Sequence, residues 1–226
     1  MIPLNDTESN RYSSFPMMTV CLLLANCMVM LAKPFLWEVM PLYTLFGSVP
    51  LQVFNQVGGG GLSSLTSLFL HSNLLHLGGN MVFLWVFGRR VEDACGPWRF
   101  LLFYLTCGLT ADLLSTLIRF GDNIPGIGAS GAIFGLEGAY LLLFPGSRIR
   151  TLVILWFVPA FPKIRAIWIV LYNFAIQVIP ALESVVSNAS VGINYWAHLG
   201  GFFGCVFVVF FLRPEAFARY LSDEPV

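Results

Sequence analysis

The sequence predicts an all-α, polytopic membrane protein, and its composition, its hydropathy and the spacing of its apolar segments support that prediction. Hydrophobic residues make up 57% of the 226 residues and charged residues only 11%, and the mean hydropathy is +0.78. This composition supplies too little polar surface to cover a soluble globule of this size. Because about 20 apolar residues cross the hydrocarbon core as a helix, the chain has room for six or seven spans with short loops.

Six apolar segments, separated by charged or Pro-Gly turns, are the predicted transmembrane helices. They cover approximately residues 15–32, 73–91, 98–118, 129–144, 164–182 and 194–212. Residues 1–14 are expected to form a short, disordered cytoplasmic segment, and residues 213–226 a cytoplasmic tail. Residues 15–212 are therefore predicted to form one six-span domain.

Two further apolar stretches are not predicted to cross the membrane. The connection from Phe35 to Ser72 is aromatic but is broken by prolines and by the run Gly58–Gly61. This composition predicts a long interfacial loop between helices 1 and 2. The piece that follows Arg150 is interrupted by Pro159 and Pro162 and is too short to span.

The distribution of Lys and Arg orients the predicted spans. If the N-terminus is cytoplasmic, ten of the twelve Lys and Arg residues lie on the inner side, as the positive-inside rule expects. Only Lys33 and Arg119 lie outside. Both termini are then cytoplasmic, and the second, fourth and sixth spans enter the bilayer from the outer face.

Polar residues are concentrated at the outer starts of these three spans. All three histidines of the chain lie there. One buried histidine, or a Gly-Ala-Ser-Gly packing face, would by itself indicate only a structural role. Five convergent polar groups near one depth instead favour a functional site. These groups are His71, His76, Asn80, Ser130 and His198.

The cluster has the residue types that covalent acyl transfer requires. Ser130 is the candidate nucleophile and His198 the candidate general base. His76 and Asn80 are four residues apart on one helical face, so both can donate hydrogen bonds toward one point. Together with backbone N–H groups around residues 128–130, they are predicted to form an oxyanion hole.

The sequence predicts a Ser-His dyad, because no third residue is identified that would orient the imidazole. Asp112 and Glu137 are the acidic candidates, but neither is fixed near His198. Glu137 lies two turns below Ser130 on the same helical face, at a depth where a lone carboxylate is costly. We expect it to be protonated or hydrogen-bonded to a neighbouring span, and Asp112 is one candidate partner.

Metal and nucleic-acid sites are not expected. His71 and His76 are five residues apart rather than the four of a helical metal-binding pair, and no carboxylate shares their segment. The formal net charge is zero and the sequence has no basic run, so nothing favours nucleic-acid binding. No cofactor is predicted.

At these motifs the chain resembles the rhomboid intramembrane serine proteases, and the resemblance covers nearly the whole chain from the first span onward. Its segments around Asn80 and Trp85 are similar to those of the bacterial six-span branch. The resemblance rests on three motifs: His71-x4-His76-x3-Asn80 on the second span, Gly128-Ala129-Ser130-Gly131 at the start of the fourth, and Ala197-His198-x2-Gly201 at the start of the sixth.

The resemblance implies a serine endopeptidase that cleaves transmembrane segments of other proteins near the outer face through an acyl-enzyme. Ser130 and His198 would be catalytic, and His76 and Asn80 oxyanion donors. The surrounding pocket would include His71, Gly128 and Phe134, and Phe134 stands where the family often has a Tyr packed on the catalytic His ring. The expected partners are transmembrane substrates and the lipid bilayer, and the expected location is a bacterial inner membrane with the site toward the outer side.

Two other functions remain open at this stage. A catalytically silent relative would bind membrane helices without cutting them, but such a protein has no need of both Ser130 and His198. A transporter or channel would be expected to carry polar residues through the full depth of the membrane. The polar cluster here is confined to one side.

Overall fold

The computed structural model describes residues 1–37, 41–187 and 193–226. Within these ranges the chain is mostly helical, with one small β-sheet at one end of the bundle. The helices, α1 to α11 in chain order, are Met17–Trp37, Leu42–Phe46, Pro50–Asn55, Ser63–Thr66, Leu74–Phe83, Arg89–Cys95, Pro97–Ile118, Ser130–Leu143, Ala166–Ser187, Tyr195–Gly204 and Pro214–Leu221.

Three helices of the described chain, α1, α7 and α9, are long and apolar enough to cross a membrane. A fourth crossing is obtained if the segment Tyr195–Phe210 and α11, which are bent by 101° at their junction, count as one span. The predicted second span continues as helix from α5 to α6 through a π-helical turn at Leu84–Gly88. A mostly helical architecture with membrane-length helices is confirmed, but length and composition alone do not identify six spans.

Helices α8 and α10 approach each other closely because glycine faces glycine. A Cβ atom at Gly201 would overlap the backbone of Gly131, and one at Gly135 would lie 2.9 Å from the carbonyl oxygen of Gly201. Small residues at such crossings let helix backbones pack directly against one another in membranes. This contact brings the first turns of α8 and α10 side by side, which positions the polar residues there.

The expectation of an all-α fold is incomplete, because the structure also contains a four-stranded antiparallel sheet. Its strands β1 to β4 are Ile2–Asp6, Arg148–Leu155, Val158–Ala160 and Lys163–Arg165, and β2 pairs with each of the other three. The segment after α8 alternates charged and apolar residues as Arg148-Ile149-Arg150, which suits a strand with one buried face. Pro159 and Pro162 also disfavour a helix there.

The N-terminal segment, expected to be disordered, is ordered because it completes this sheet. Asp6 at the end of β1 is buried, pairs with Arg90 at 3.2 Å and accepts a 2.6 Å hydrogen bond from the Tyr140 hydroxyl. The C-terminal tail lies at the same end of the bundle, where the Arg213 N–H donates to the Ala94 carbonyl at 2.9 Å. We call this end, defined by the sheet, Asp6 and Arg90, the terminal end.

Helix α1 is fixed at the terminal end by a carboxylate from α6. Glu92 accepts hydrogen bonds from the backbone N–H groups of Met18 and Thr19 and from the Thr19 hydroxyl, at 2.7 to 2.8 Å. The first N–H groups of a helix have no intrahelical partner, so Glu92 acts as a cap supplied from another helix. Asp93 similarly accepts from the N–H groups of residues 11–13.

Candidate active site

A cavity of about 1230 Å³ opens at the end of the bundle opposite the sheet. Ser130 stands at the first residue of α8, and β2 begins shortly after the last residue of the same helix, so the two sites are separated by the length of α8. We call this end, which holds the cavity and Ser130, the cavity end. The polar residues around the cavity include His76, Asn80, Ser130, Gln177 and His198.

The structure brings Ser130 and His198 into direct contact. The Ser130 Oγ lies 2.9 Å from the His198 Nε2. One turn further along α8, the ring of Phe134 stacks on the imidazole, with centroids 4.6 Å apart and an angle of 13° between the planes. The aromatic ring therefore covers one face of the imidazole, while Ser130 meets its edge.

A third residue orients the imidazole, and the expectation that none would do so is wrong. The Oε1 of Gln177, on α9, lies 2.8 Å from the His198 Nδ1. A carboxamide oxygen only accepts hydrogen bonds, so this contact requires the proton of a neutral imidazole to reside on Nδ1. The Nε2 lone pair is then directed at the Ser130 hydroxyl, as a general base requires.

Gln177 is itself held by a chain of hydrogen bonds that ends at a buried carboxylate. Its Nε2 donates to the backbone carbonyl of Asn173 at 3.2 Å, which leaves Oε1 turned toward His198. The Asn173 side chain donates through Nδ2 to the Oε2 of Glu137 at 3.0 Å. Glu137 is only 1% exposed, and its partner lies on a neighbouring helix. Asp112 instead accepts a hydrogen bond from the Ser64 hydroxyl.

The two candidate oxyanion donors flank Gly128. A Cβ atom built on Gly128 would lie 2.9 Å from the His76 Nε2 and 3.7 Å from the Asn80 Nδ2. Gly128 also has φ +117°, a conformation that other residues rarely adopt. Both the space and the backbone conformation therefore require glycine at this position.

His71 fixes the side chain of Asn80. The Asn80 Nδ2 lies 2.8 Å from the His71 Nε2. His71 precedes α5, outside the spanning helices, and burial there lowers the pKa of its imidazole to about 4, with a further lowering by His76. The ring is therefore neutral near pH 7, and its Nε2 accepts a hydrogen bond from the Asn80 amide, whose second N–H stays available.

The backbone before Ser130 is held by the long connection between α1 and α5. Ser48 and Gly126 exchange two backbone hydrogen bonds, and the Gly128 N–H donates to the Ser67 carbonyl at 2.9 Å. Gly128 thus uses its N–H within the fold and does not supply it to an oxyanion. The backbone donors that remain from the predicted set are those of Ala129 and Ser130, at the start of α8.

Comparison with known proteins places the chain in a family. The family model described as a rhomboid domain matches residues 60–215. Rhomboid protein 1, mitochondrial, from Saccharomyces cerevisiae is 33% identical over 150 residues, which are 62% of this chain and 38% of the relative. RHOMBOID-like protein 5 from Arabidopsis thaliana is 30% identical over 157 residues, covering 67% of this chain and 44% of the relative.

A shorter match covers a named protease. Rhomboid protease GluP from Bacillus subtilis is 42% identical over 84 residues, which are 37% of this chain and 16% of the relative. The chain thus spans less than half the length of each of these three relatives. The family model nevertheless covers more than half of this chain, including the segments that carry His76, Ser130 and His198. The chain therefore belongs to the rhomboid family and is an integral membrane protein.

Proposed function

We propose that this chain is an intramembrane serine endopeptidase that cleaves transmembrane segments of other membrane proteins near the outer face. The observation that carries the proposal is the 2.9 Å contact between the Ser130 Oγ and the His198 Nε2 beside the cavity. The hydrogen bond from the His198 Nδ1 to Gln177 further supports the proposal, because this bond selects the tautomer in which Nε2 is a base.

In the proposed mechanism, His198 removes the proton from Ser130 while Oγ attacks the carbonyl carbon of the scissile bond. The same imidazole then protonates the leaving amine, and a water molecule hydrolyses the acyl-enzyme by the reverse roles. Gln177 holds the ring in place through both steps. Because its carboxamide is neutral, Gln177 stabilises the imidazolium less than a carboxylate would, so we expect slow turnover.

The oxyanion of each tetrahedral intermediate is proposed to lie next to Gly128. His76 and Asn80 would donate to it from α5, and the N–H groups at the start of α8 from the other side. A contact between the His76 Nδ1 and the Ser72 hydroxyl, at 3.2 Å, favours a His76 tautomer whose Nε2 carries the proton. His71 would contribute by orienting Asn80.

The membrane arrangement is part of the proposal. Six spans within residues 15–212, with both ends in the cytoplasm, place the cavity toward the outer side, and a bacterial inner membrane is the proposed location. The support is the positive-inside distribution and the meeting of both termini at the terminal end, on the opposite side from Ser130. In a variant without the five native cysteines, a cysteine introduced at residue 5 or 223 should resist impermeant maleimide in intact cells and react after lysis. Labelling in intact cells would exclude this topology.

The activity is tested with purified protein in lipid vesicles and a panel of tagged single-span proteins. We expect cleavage by the wild type, no detectable cleavage by Ser130→Ala or His198→Ala, and fluorophosphonate labelling that requires both residues. Unchanged melting temperatures in detergent would show that the two variants are folded.

The second candidate function is that of a silent rhomboid relative that binds membrane helices. It predicts that the wild type neither cleaves any member of the panel nor reacts with the probe, while still retaining single-span proteins in pull-down experiments. Cleavage that persists in Ser130→Ala would contradict the proposed nucleophile. The paired side chains of Ser130 and His198 favour the protease.

A further inference from the structure

A β-hairpin with an aromatic tip projects from the terminal end. Leu155 pairs with Val158, so Trp156 and Phe157 form a two-residue turn between β2 and β3. Both have positive φ values, +49° and +70°, as the tight turn of such a hairpin requires. Their side chains are 94% and 97% exposed. Asn and Gly are the usual residues at such positions, so two large exposed aromatics in a strained turn indicate a contact outside the chain.

The hairpin, in which β2 pairs with β3 near the tip and with β4 at the base, carries four cations on one face in two directly opposed pairs. Arg148 is paired with Arg165, and Arg150 with Lys163, so in each pair the side chains emerge on the same side of the sheet. All four are exposed. Asn5, which lies opposite Arg150 on β1, is uncharged. Like charges placed directly opposite each other destabilise a sheet.

None of these four cations forms an ion pair with a carboxylate in the described part of the chain. The ion pairs found there involve Arg90, Arg119 and Arg219 instead. Asp6, the acidic residue of β1, lies opposite Ile149 and is buried on the other face of the sheet. An external anion would therefore relieve the repulsion within both cationic pairs.

The base of the hairpin is fixed close to the membrane surface. Strand β2 begins five residues after the end of α8, and β4 ends immediately before α9, one of the membrane-length helices. The eight residues of β2 reach roughly 26 Å from that base at about 3.3 Å per residue. Leaflet lipids are thus within reach of the whole hairpin.

We propose that this hairpin lies on the leaflet at the terminal end, where its four cations bind anionic phospholipid headgroups and its Trp156-Phe157 tip enters the interface. Indole and phenyl rings are favoured at headgroup level, and basic side chains are attracted by the negative surface of an anionic leaflet. The hairpin would then act as an anchor that senses lipid charge. The inference does not depend on the proposed protease activity.

The test uses the full-length protein in vesicles of phosphatidylcholine alone or mixed with phosphatidylglycerol. The contribution of Trp156 is obtained as the difference in fluorescence between the wild type and Trp156→Phe. With phosphatidylglycerol present, we expect this emission to shift to shorter wavelength and to be quenched by lipids brominated on the acyl chains. In phosphatidylcholine alone, both effects should be weak.

A variant with R148Q, R150Q, K163Q and R165Q should lose the quenching, since each cation near an anionic surface contributes about fivefold to binding. Arg219→Gln, which removes a half-buried, ion-paired cation at the terminal end and outside the hairpin, should retain it. If the fourfold variant fails to fold, wild type in high salt provides the same comparison by screening. Circular dichroism verifies the fold.

Two results would overturn the proposal. In the first, brominated phosphatidylglycerol leaves the Trp156 emission unchanged. If an added membrane extract then shifted this emission, the partner of the hairpin would be a protein rather than a lipid. In the second, quenching is equal with and without phosphatidylglycerol and insensitive to the four substitutions, so that the cations have no role in binding.

Discussion

The two ends of the helix bundle bury similar polar groups but partner them differently. At the terminal end, Glu92 is 3% exposed and accepts three hydrogen bonds from α1. Near the cavity end, Glu137 is 1% exposed and is bound by the side chain of Asn173. One carboxylate caps a helix terminus, whereas the other stands at the end of a line of hydrogen bonds that leads through Asn173 and Gln177 to His198.

The difference indicates separate roles for the two ends. Fully partnered carboxylates such as Glu92 and Asp93 join segments that are distant in sequence, which contributes to stability. At the cavity end, hydrogen bonds connect side chains from α8, α9 and α10 and leave Ser130 facing a cavity. Substitutions at the cavity end should therefore reduce cleavage with little loss of stability, and those at the terminal end should do the opposite.

The largest effect among the supporting residues is expected for the oxyanion donors. His76→Ala and Asn80→Ala should each lower the cleavage rate in vesicles by about 10²- to 10³-fold, the usual result of losing one such donor. Residual cleavage should remain detectable, in contrast to Ser130→Ala. The melting temperature in detergent serves as the control for folding. Wild-type rates in both variants would remove these residues from the oxyanion hole.

A smaller effect is expected for Gln177, which acts through His198. Gln177→Leu should lower kcat by about ten- to a hundredfold with little change in KM, because the imidazole loses the partner that fixes its orientation and tautomer. Gln177→Glu retains an acceptor for Nδ1–H and should restore part of the rate. Leu171→Ala, a change at an exposed position of the same helix, is the matched control. Equal rates for Gln177→Leu and Leu171→Ala would show that the contact has no role in catalysis.

Glu137 is expected to matter less, because it is two hydrogen-bonded residues away from the imidazole. Glu137→Gln still offers an acceptor to Asn173, so we expect cleavage within about threefold of the wild type, whereas Glu137→Leu should be slower because Asn173 is left unpaired. The ratio of the two rates is the measurement. A loss in Glu137→Gln as complete as that in Ser130→Ala would instead make the carboxylate catalytic.

The smallest effect on cleavage is expected at the terminal end. Glu92→Ala leaves the first N–H groups of α1 without a partner and should lower the free energy of unfolding by about 1–3 kcal/mol. The rate per folded molecule should stay near that of the wild type. Melting in detergent together with active-site titration separates the two quantities, and Glu224→Gln, at an exposed position near the C-terminus, is the control. A selective loss of rate without loss of stability would contradict the division between the two ends.

The sequence predicted the members of the site that belong to motifs at the starts of spans. Ser130, His198 and His76 follow this pattern, because a helix start fixes both the depth of a residue and its side of the membrane. Gln177 does not, since α9 is apolar around most of its circumference and its rotation is determined by packing against α8 and α10. The sequence did contain one indication that this face of α9 is turned toward the site. Asn173 and Gln177 are two carboxamides four residues apart on one face of an otherwise apolar helix.

The sheet could not be derived from local patterns for a different reason. The alternation Arg148-Ile149-Arg150 indicates a strand, but nothing near it in sequence identifies β1 as its partner. In the sequence, Asp6 is one charged residue in a polar segment, and its burial could not be predicted because its partners Arg90 and Tyr140 are distant in sequence. The number of spans was equally hard to verify from composition, because α8 and α10 are short and the second span contains a π-helical turn between α5 and α6.

The pairing of β1 with β2 has a consequence for the order of events during synthesis. Thr7 and Arg148, joined by hydrogen bonds at the end of this pairing, are separated by 141 residues. At about 5–20 residues per second, a ribosome takes roughly 7 to 30 seconds to make the intervening chain. During that interval β1 emerges with no strand to pair with, and Asp6 has no contact with Tyr140. The terminal end can therefore close only after the nucleophile-bearing helix has been made, which couples completion of the sheet to insertion of that helix.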